Sequence, residues 1–244
     1  MSLKYNKWLD TITELPELDG GGKIFAPVFA ELLKEYKVKT VYEWCSGPAW
    51  IGMWLLELGI CEELVVSDIN KKAIECVKDT AKYHSYNIRS YVSDNMKSIP
   101  EWERFDLVVA NPPNYSNIQT SHPKGYLRYD LRPSDIDWKI HQNFYDTIGY
   151  YLKQDSQMFI SEVDPYSTEV YFREGYKTTN KKLYDLRKNK PIDDFKKMIS
   201  DNNLILEDLI VYNALLDNMS RMSTDVPLCM LKISKEGEQN GVTN

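Results

Sequence analysis

The chain has 244 residues, 43% hydrophobic and 27% charged, enough to close one large buried core, which argues against a disordered polymer. Thirty-six acidic against 30 basic side chains leave a net charge of −6, which argues against a dominant phosphate-binding field but leaves room for a local basic patch. Four cysteines without a CxxC pair, three histidines and no run of about 18 apolar residues argue against a disulfide scaffold, a zinc domain and a usual membrane span.

Residues 1–22 are mixed in pattern, lack the apolar stretch of a secretion signal and close on Gly20-Gly21-Gly22, read as a hinge. With the cysteines taken as reduced thiols, the expected location is the cytoplasm. Val28, Phe29, Leu32, Leu33 and Tyr36 recur at helical spacing and predict a helix over 25–36. A β-rich run, 39–44, ends in the small-residue turn Cys45-Ser46-Gly47-Pro48-Ala49, and a helix over 50–58 stops at Gly59. A strand over 63–67, a helix over 70–83 and a weaker strand over 87–93 follow. Phe105 to Ala110 is nearly continuous apolar, as in a parallel strand buried on both faces. A helix is expected over 138–152, a strand over 156–162, a helix over 191–201 and strands near 203–211 and 226–233. The polar residues beyond 233 read as a frayed tail.

Strand and helix alternating in this way predicts an α/β sheet with ligands outside the carboxyl ends of the strands. Four features fall at successive strand ends. Glu43-x-x-x-Gly47-x-x-x-x-Gly52 is a tight turn that lets backbone approach a bound group, or else a plain strand–helix turn. Asp68 can accept hydrogen bonds from both ribose hydroxyls of a nucleoside ligand, or cap the helix that follows. Asp94 can accept from an adenine amino group, or Asp94-Asn95 is an ordinary turn. Asn111-Pro112-Pro113-Asn114-Tyr115 closes the apolar strand. Its prolines fix the backbone, so the Asn111 side-chain oxygen and the Pro112 carbonyl offer two acceptors suited to an NH2 group.

These residues resemble the class I S-adenosylmethionine-dependent methyltransferases, in particular the amino-methyltransferases with an Asn-Pro-Pro-aromatic motif, the HemK/PrmC-like small methyltransferase group. Twenty-one residues separate Gly47 from Asp68, 26 separate Asp68 from Asp94 and 17 separate Asp94 from Asn111, each near one β–α unit or less. The resemblance implies a Rossmann-like, seven-stranded, mostly parallel sheet with helices on both faces. It implies an N-terminal extension and cofactor-covering segment over 1–37, a methyltransferase domain over 38–233 and a flexible tail over 234–244. It implies S-adenosyl-L-methionine as cofactor, held by Phe25, Glu43, Cys45, Gly47, Asp68, Ile69, Asp94, Asn95 and Asn111. Asn111, Pro112 and Tyr115 would act on the acceptor, with no metal and no membrane. Phe25 has a plainer reading as a core residue at a helix start.

Two positions depart from the pattern. Cys45 and Ala49 stand where the first motif usually has glycines, so any left-handed backbone there is strained. Asn114 stands where the family places an aromatic residue, and Tyr115 is the substitute. The acceptor expected is a planar NH2 group of a protein or peptide amide or of a nucleobase. The alternatives are a small molecule and a non-catalytic scaffold. Lys124, Tyr126, Arg128, Tyr129 and Arg132 in the aperiodic stretch 114–137 form either a substrate clamp or a solvated lid. The three histidines are scattered, and none is assigned a role.

Overall fold

The computed structural model describes residues 22–113, 135, 138–163, 192–211 and 228–235. Five helices, α1 Gly22–Leu33, α2 Trp50–Glu57, α3 Lys71–His84, α4 Lys139–Tyr151 and α5 Ile192–Ser200, alternate there with seven strands. The strands are β1 Val38–Trp44, β2 Cys61–Asp68, β3 Ile88–Val92, β4 Phe105–Ala110, β5 Leu152–Val163, β6 Leu204–Val211 and β7 Leu228–Lys235. They form one sheet in the order β3-β2-β1-β4-β5-β7-β6. The first five strands of that order run parallel, and β7 is inserted antiparallel between β5 and β6. This is the mostly parallel Rossmann-like sheet expected.

Each face of the sheet buries its own cluster. On one face α1, α2 and α3 contribute Phe29, Leu33, Met53, Leu55, Ile74 and Val77 against Val41, Leu64, Val66, Leu107 and Val109. On the other, α4 and α5 contribute Phe144, Tyr145, Ile148, Phe195 and Ile199 against Tyr42, Trp44, Val65, Val108, Ala110, Met158 and Ile160. From Leu107 to Ala110 β4 alternates strictly between the two clusters, which is why its sequence is apolar apart from Asp106, paired with Lys153.

Several boundaries differ from the sequence reading for local reasons. Helix α1 starts at Gly22 and encloses Pro27, so Gly22 is helical. The chain leaves α1 at Leu33, where a turn bonds Tyr36 N to Leu33 O, because it must enter β1 at Val38. Ala26, Val28, Phe29 and Leu33 lie inside the core, so this part of the expected extension packs as an integral layer. Strand β5 begins at Leu152, four residues before the expected start at Ser156, but its pairing with β4 is irregular until Gln157. Ser234 and Lys235, placed in the expected tail, pair with β6 in register.

Candidate functional site

The sheet order reverses direction between β1 and β4, which are neighbours although β2 and β3 intervene in sequence. A crevice at such a switch point, at the carboxyl ends of the strands, is where α/β folds bind ligands. Trp44 and Ala110 are register partners, so the turn that follows β1 and Asn111-Pro112 after β4 leave the sheet side by side.

The turn after β1 places Cys45 at φ 51°, Gly47 at φ 50° and Ala49 at φ 62°. Two of these three left-handed residues carry a Cβ, at a cost of roughly 1–2 kcal/mol each. The strain foreseen at Cys45 and Ala49 is therefore present. The turn is held by Ser46 N to Ser67 O at 3.0 Å and Ala49 N to Ser46 O at 2.8 Å.

Glu43 is 2% exposed and turned into the fold. Its Oε2 accepts from Gly52 N at 2.7 Å, and the Ile51 N–H also donates to it. The group held at the start of α2 is thus the chain's own carboxyl, and Glu43 supports the turn from behind instead of facing a ligand. Burial pushes its carboxyl up to about 8 against the opposing pull of the two backbone donors. The geometry also explains the glycine at 52. A Cβ there would lie 2.5 Å from Leu64 Cδ1 and 2.6 Å from Glu43 Oε2.

Asp68 ends β2 and holds the turn. Its Oδ2 accepts from Gly47 N at 2.7 Å and its Oδ1 from Asn70 N at 2.8 Å. The cap of α3 is Asn70, whose side chain accepts from Lys72 N, so Asp68 is not the cap. With the Ile69 N–H as a third backbone donor, the carboxylate keeps acceptor capacity for one further donor. Burial raises its pKa, and the Asn70, Gly47 and Ile69 N–H groups counter that. Next to it Ile69 is 60% exposed, an apolar surface that the fold itself does not cover.

Asp94 is exposed and paired with Lys97, whereas Asn95 is buried at φ 53° and accepts from Trp44 Nε1 at 2.9 Å. Asn95 is therefore committed through its side-chain oxygen to the end of β1. Phe25 is half-buried on α1 against the first core cluster. Asn111 is half-buried and Pro112 buried at the end of β4. Asn114, Tyr115, Lys124, Tyr126, Arg128, Tyr129 and Arg132 lie outside the described residues. The structure thus brings Cys45, Gly47, Asp68, Ile69 and Asn111 to one rim, with Glu43 and Asn95 behind it.

One constellation escaped the sequence reading. His141, fully buried, lies between two buried carboxylates: Nδ1 is 2.6 Å from Asp135 Oδ2 and Nε2 is 2.7 Å from Glu162 Oε1. Burial lowers the imidazole pKa, but Glu162 and Asp135 outweigh it and hold it up to about 9. Asp135 also accepts from the backbone N–H groups of Ile140 and His141, which caps α4. The available signal was an acidic residue, Glu162, just after the apolar run Met158-Phe159-Ile160 of a central strand. Among the described residues no group of acidic, histidine or cysteine side chains could hold a metal.

Residues 15–123 match the family "methyltransferase small domain". The ribosomal RNA small subunit methyltransferase C of Actinobacillus pleuropneumoniae is 31% identical over 116 residues, 47% of this chain and 33% of that protein. A Methanocaldococcus jannaschii protein, provisionally named a protein N5-glutamine methyltransferase, is 26% identical over 122 residues, 50% of this chain and 60% of that one. The chain spans between a third and three-fifths of these relatives' lengths. Among solved structures, an S-adenosylmethionine-dependent methyltransferase from Clostridium acetobutylicum shares the fold at TM-score 0.57 and 11% identity, covering 96% of this chain and 99% of that one.

Proposed function

We propose that this chain, a member of the methyltransferase small-domain family through residues 15–123, is an S-adenosylmethionine-dependent N-methyltransferase acting on a planar NH2 group. The observation that carries this reading is the placement of Asn111-Pro112 beside the left-handed turn after β1, with Asp68 bonded to that turn. The remaining acceptor capacity of Asp68 suits a ribose hydroxyl, and exposed Ile69 suits the flat face of an adenine. Keeping Cys45 and Ala49 in strained backbone is the pattern of a functional turn and speaks against a scaffold.

When bound, S-adenosylmethionine supplies an electrophilic methyl group. The chain's own part is positioning. The Asn111 side-chain oxygen and the Pro112 carbonyl hold the two hydrogens of the acceptor NH2, so that its lone pair points at the rim occupied by Gly47 and Asp68. As the nitrogen becomes tetrahedral and gains positive charge, both acceptors bind it more tightly than in the ground state. The proton then becomes acidic and leaves without a strong base. The acceptor class is a protein or peptide side-chain amide or a nucleobase exocyclic amine; one relative's name specifies protein glutamine and the other's ribosomal RNA.

Calorimetric titration of S-adenosylmethionine tests the cofactor site. Asp68→Ala should weaken binding by about 100-fold, the worth of one hydrogen bond to a charged group. Asn111→Ala should leave that affinity intact and cut turnover by about 10²-fold. A labelled-methyl survey of cell protein, RNA, DNA and metabolite fractions identifies the acceptor. Absence of binding by the unaltered protein would overturn the reading.

A further inference from the structure

We propose that Asp135, His141 and Glu162 are positioning residues for the cofactor side of the candidate site, acting through Trp44 on Asn95. The inference rests on the reading of that site given above. The Trp44 indole lies at the rim end of β1, stacked on Phe144 at 3.8 Å between centroids and 8° between planes. The His141 ring meets it edge-on at 5.4 Å. Trp44 Nε1 donates to Asn95 Oδ1 at 2.9 Å, and Asn95 has a left-handed backbone. His141 is in turn fixed from both ends, by Asp135 ahead of α4 and by Glu162 on β5.

A ring held by two hydrogen bonds cannot rotate, so the indole packed on it has one available pose. The arrangement costs more than packing requires. Three polar groups are buried together, and a cation there lies near the start of α4, where a helix disfavours positive charge. An apolar trio of similar volume would fill the space with less penalty. The ends of this assembly also converge on the rim. The Cys45 thiol is pushed up by burial and then by the charges of Asp68, Asp135 and Asp94, and of these Asp68 bonds the turn directly through Gly47 N.

Among the described residues, the titratable groups facing His141 are Asp135, Glu162 from β5 and Tyr145 from its own helix. Trp44, Trp138 and Phe195 close the remaining sides with rings that do not titrate. Burial works against the protonated ring and the two carboxylates work for it, with the balance at about 9.

The test follows the Trp44 indole N–H by NMR, its signal identified by loss in Trp44→Phe. In His141→Gln its hydrogen exchange should speed up by about tenfold, while the backbone N–H of Leu64 in β2 stays protected. Equal acceleration at both probes, or none at the indole, overturns the proposal in favour of a purely structural role. Cofactor affinity in His141→Gln should fall by about tenfold, and an unchanged affinity also overturns it. If His141→Gln does not fold, the unaltered protein answers: the indole shift should titrate with a midpoint near 9, and a flat signal is the contrary result. Should the unaltered protein bind no S-adenosylmethionine, the functional reading fails, while the indole measurements still decide whether the triad orients Trp44.

Discussion

Glu43 shows how a single side chain couples the site to solution conditions. Its carboxyl, ordinarily near 4.5, is raised to about 8 in the fold. Below about pH 4.5 the group is protonated whether folded or unfolded, and its contribution is complete. Between there and about 8 the unfolded chain releases the proton first, so stability falls as pH rises. Glu43→Gln should flatten that decline in urea unfolding compared at about pH 5 and pH 8; an equal slope in both proteins would show that another group is responsible. Gly52→Ala should destabilise by about 2 kcal/mol in the same assay, because its methyl overlaps Leu64 and Glu43. The sequence showed that residues 43, 47 and 52 belong together, but not that Glu43 points inward. Carboxylates at strand ends face ligands or helix starts with equal ease, and only the packing of Leu64 against Gly52 decides.

The elements were largely legible, since apolar period and buried face agree from β1 through α5. Strand β4 was read to its exact residues because a nearly continuous apolar run, broken by Asp106 alone and ended by Asn-Pro-Pro, has one interpretation. Helix α1 was displaced by three residues because Tyr36 continues the helical period while the geometry of β1 ends the helix sooner. The assignment of the α3 cap to Asn70 makes a direct prediction. Asn70→Ala removes the oxygen that receives Lys72 N and should cost about 1 kcal/mol in thermal or urea unfolding. Ala49→Gly should behave differently from glycine elsewhere in a helix. The relief of the left-handed backbone offsets the added freedom of the unfolded chain, so the change should stay within about 1 kcal/mol. A loss well beyond that would mean that the buried methyl matters more than the strain. The His141 constellation was illegible because its members come from three separate places in the chain, with no periodic spacing to connect them.

At the scale of the molecule, the placement of β7 between β5 and β6 governs the order in which the sheet can be completed. Strands β1 to β5 can zip together as they leave the ribosome, since each finds a parallel neighbour made before it, β3 beside β2 and β5 beside β4. Strand β6 pairs with β7 alone and has no place to dock until residues 228–235 have been made. During that interval the buried strand β5 presents an open edge, the kind of surface that recruits another chain. Nascent chains arrested before Leu228 should therefore be captured by chaperones or aggregate, and those extended past Lys235 should be released, with the last eight sheet residues acting as the latch.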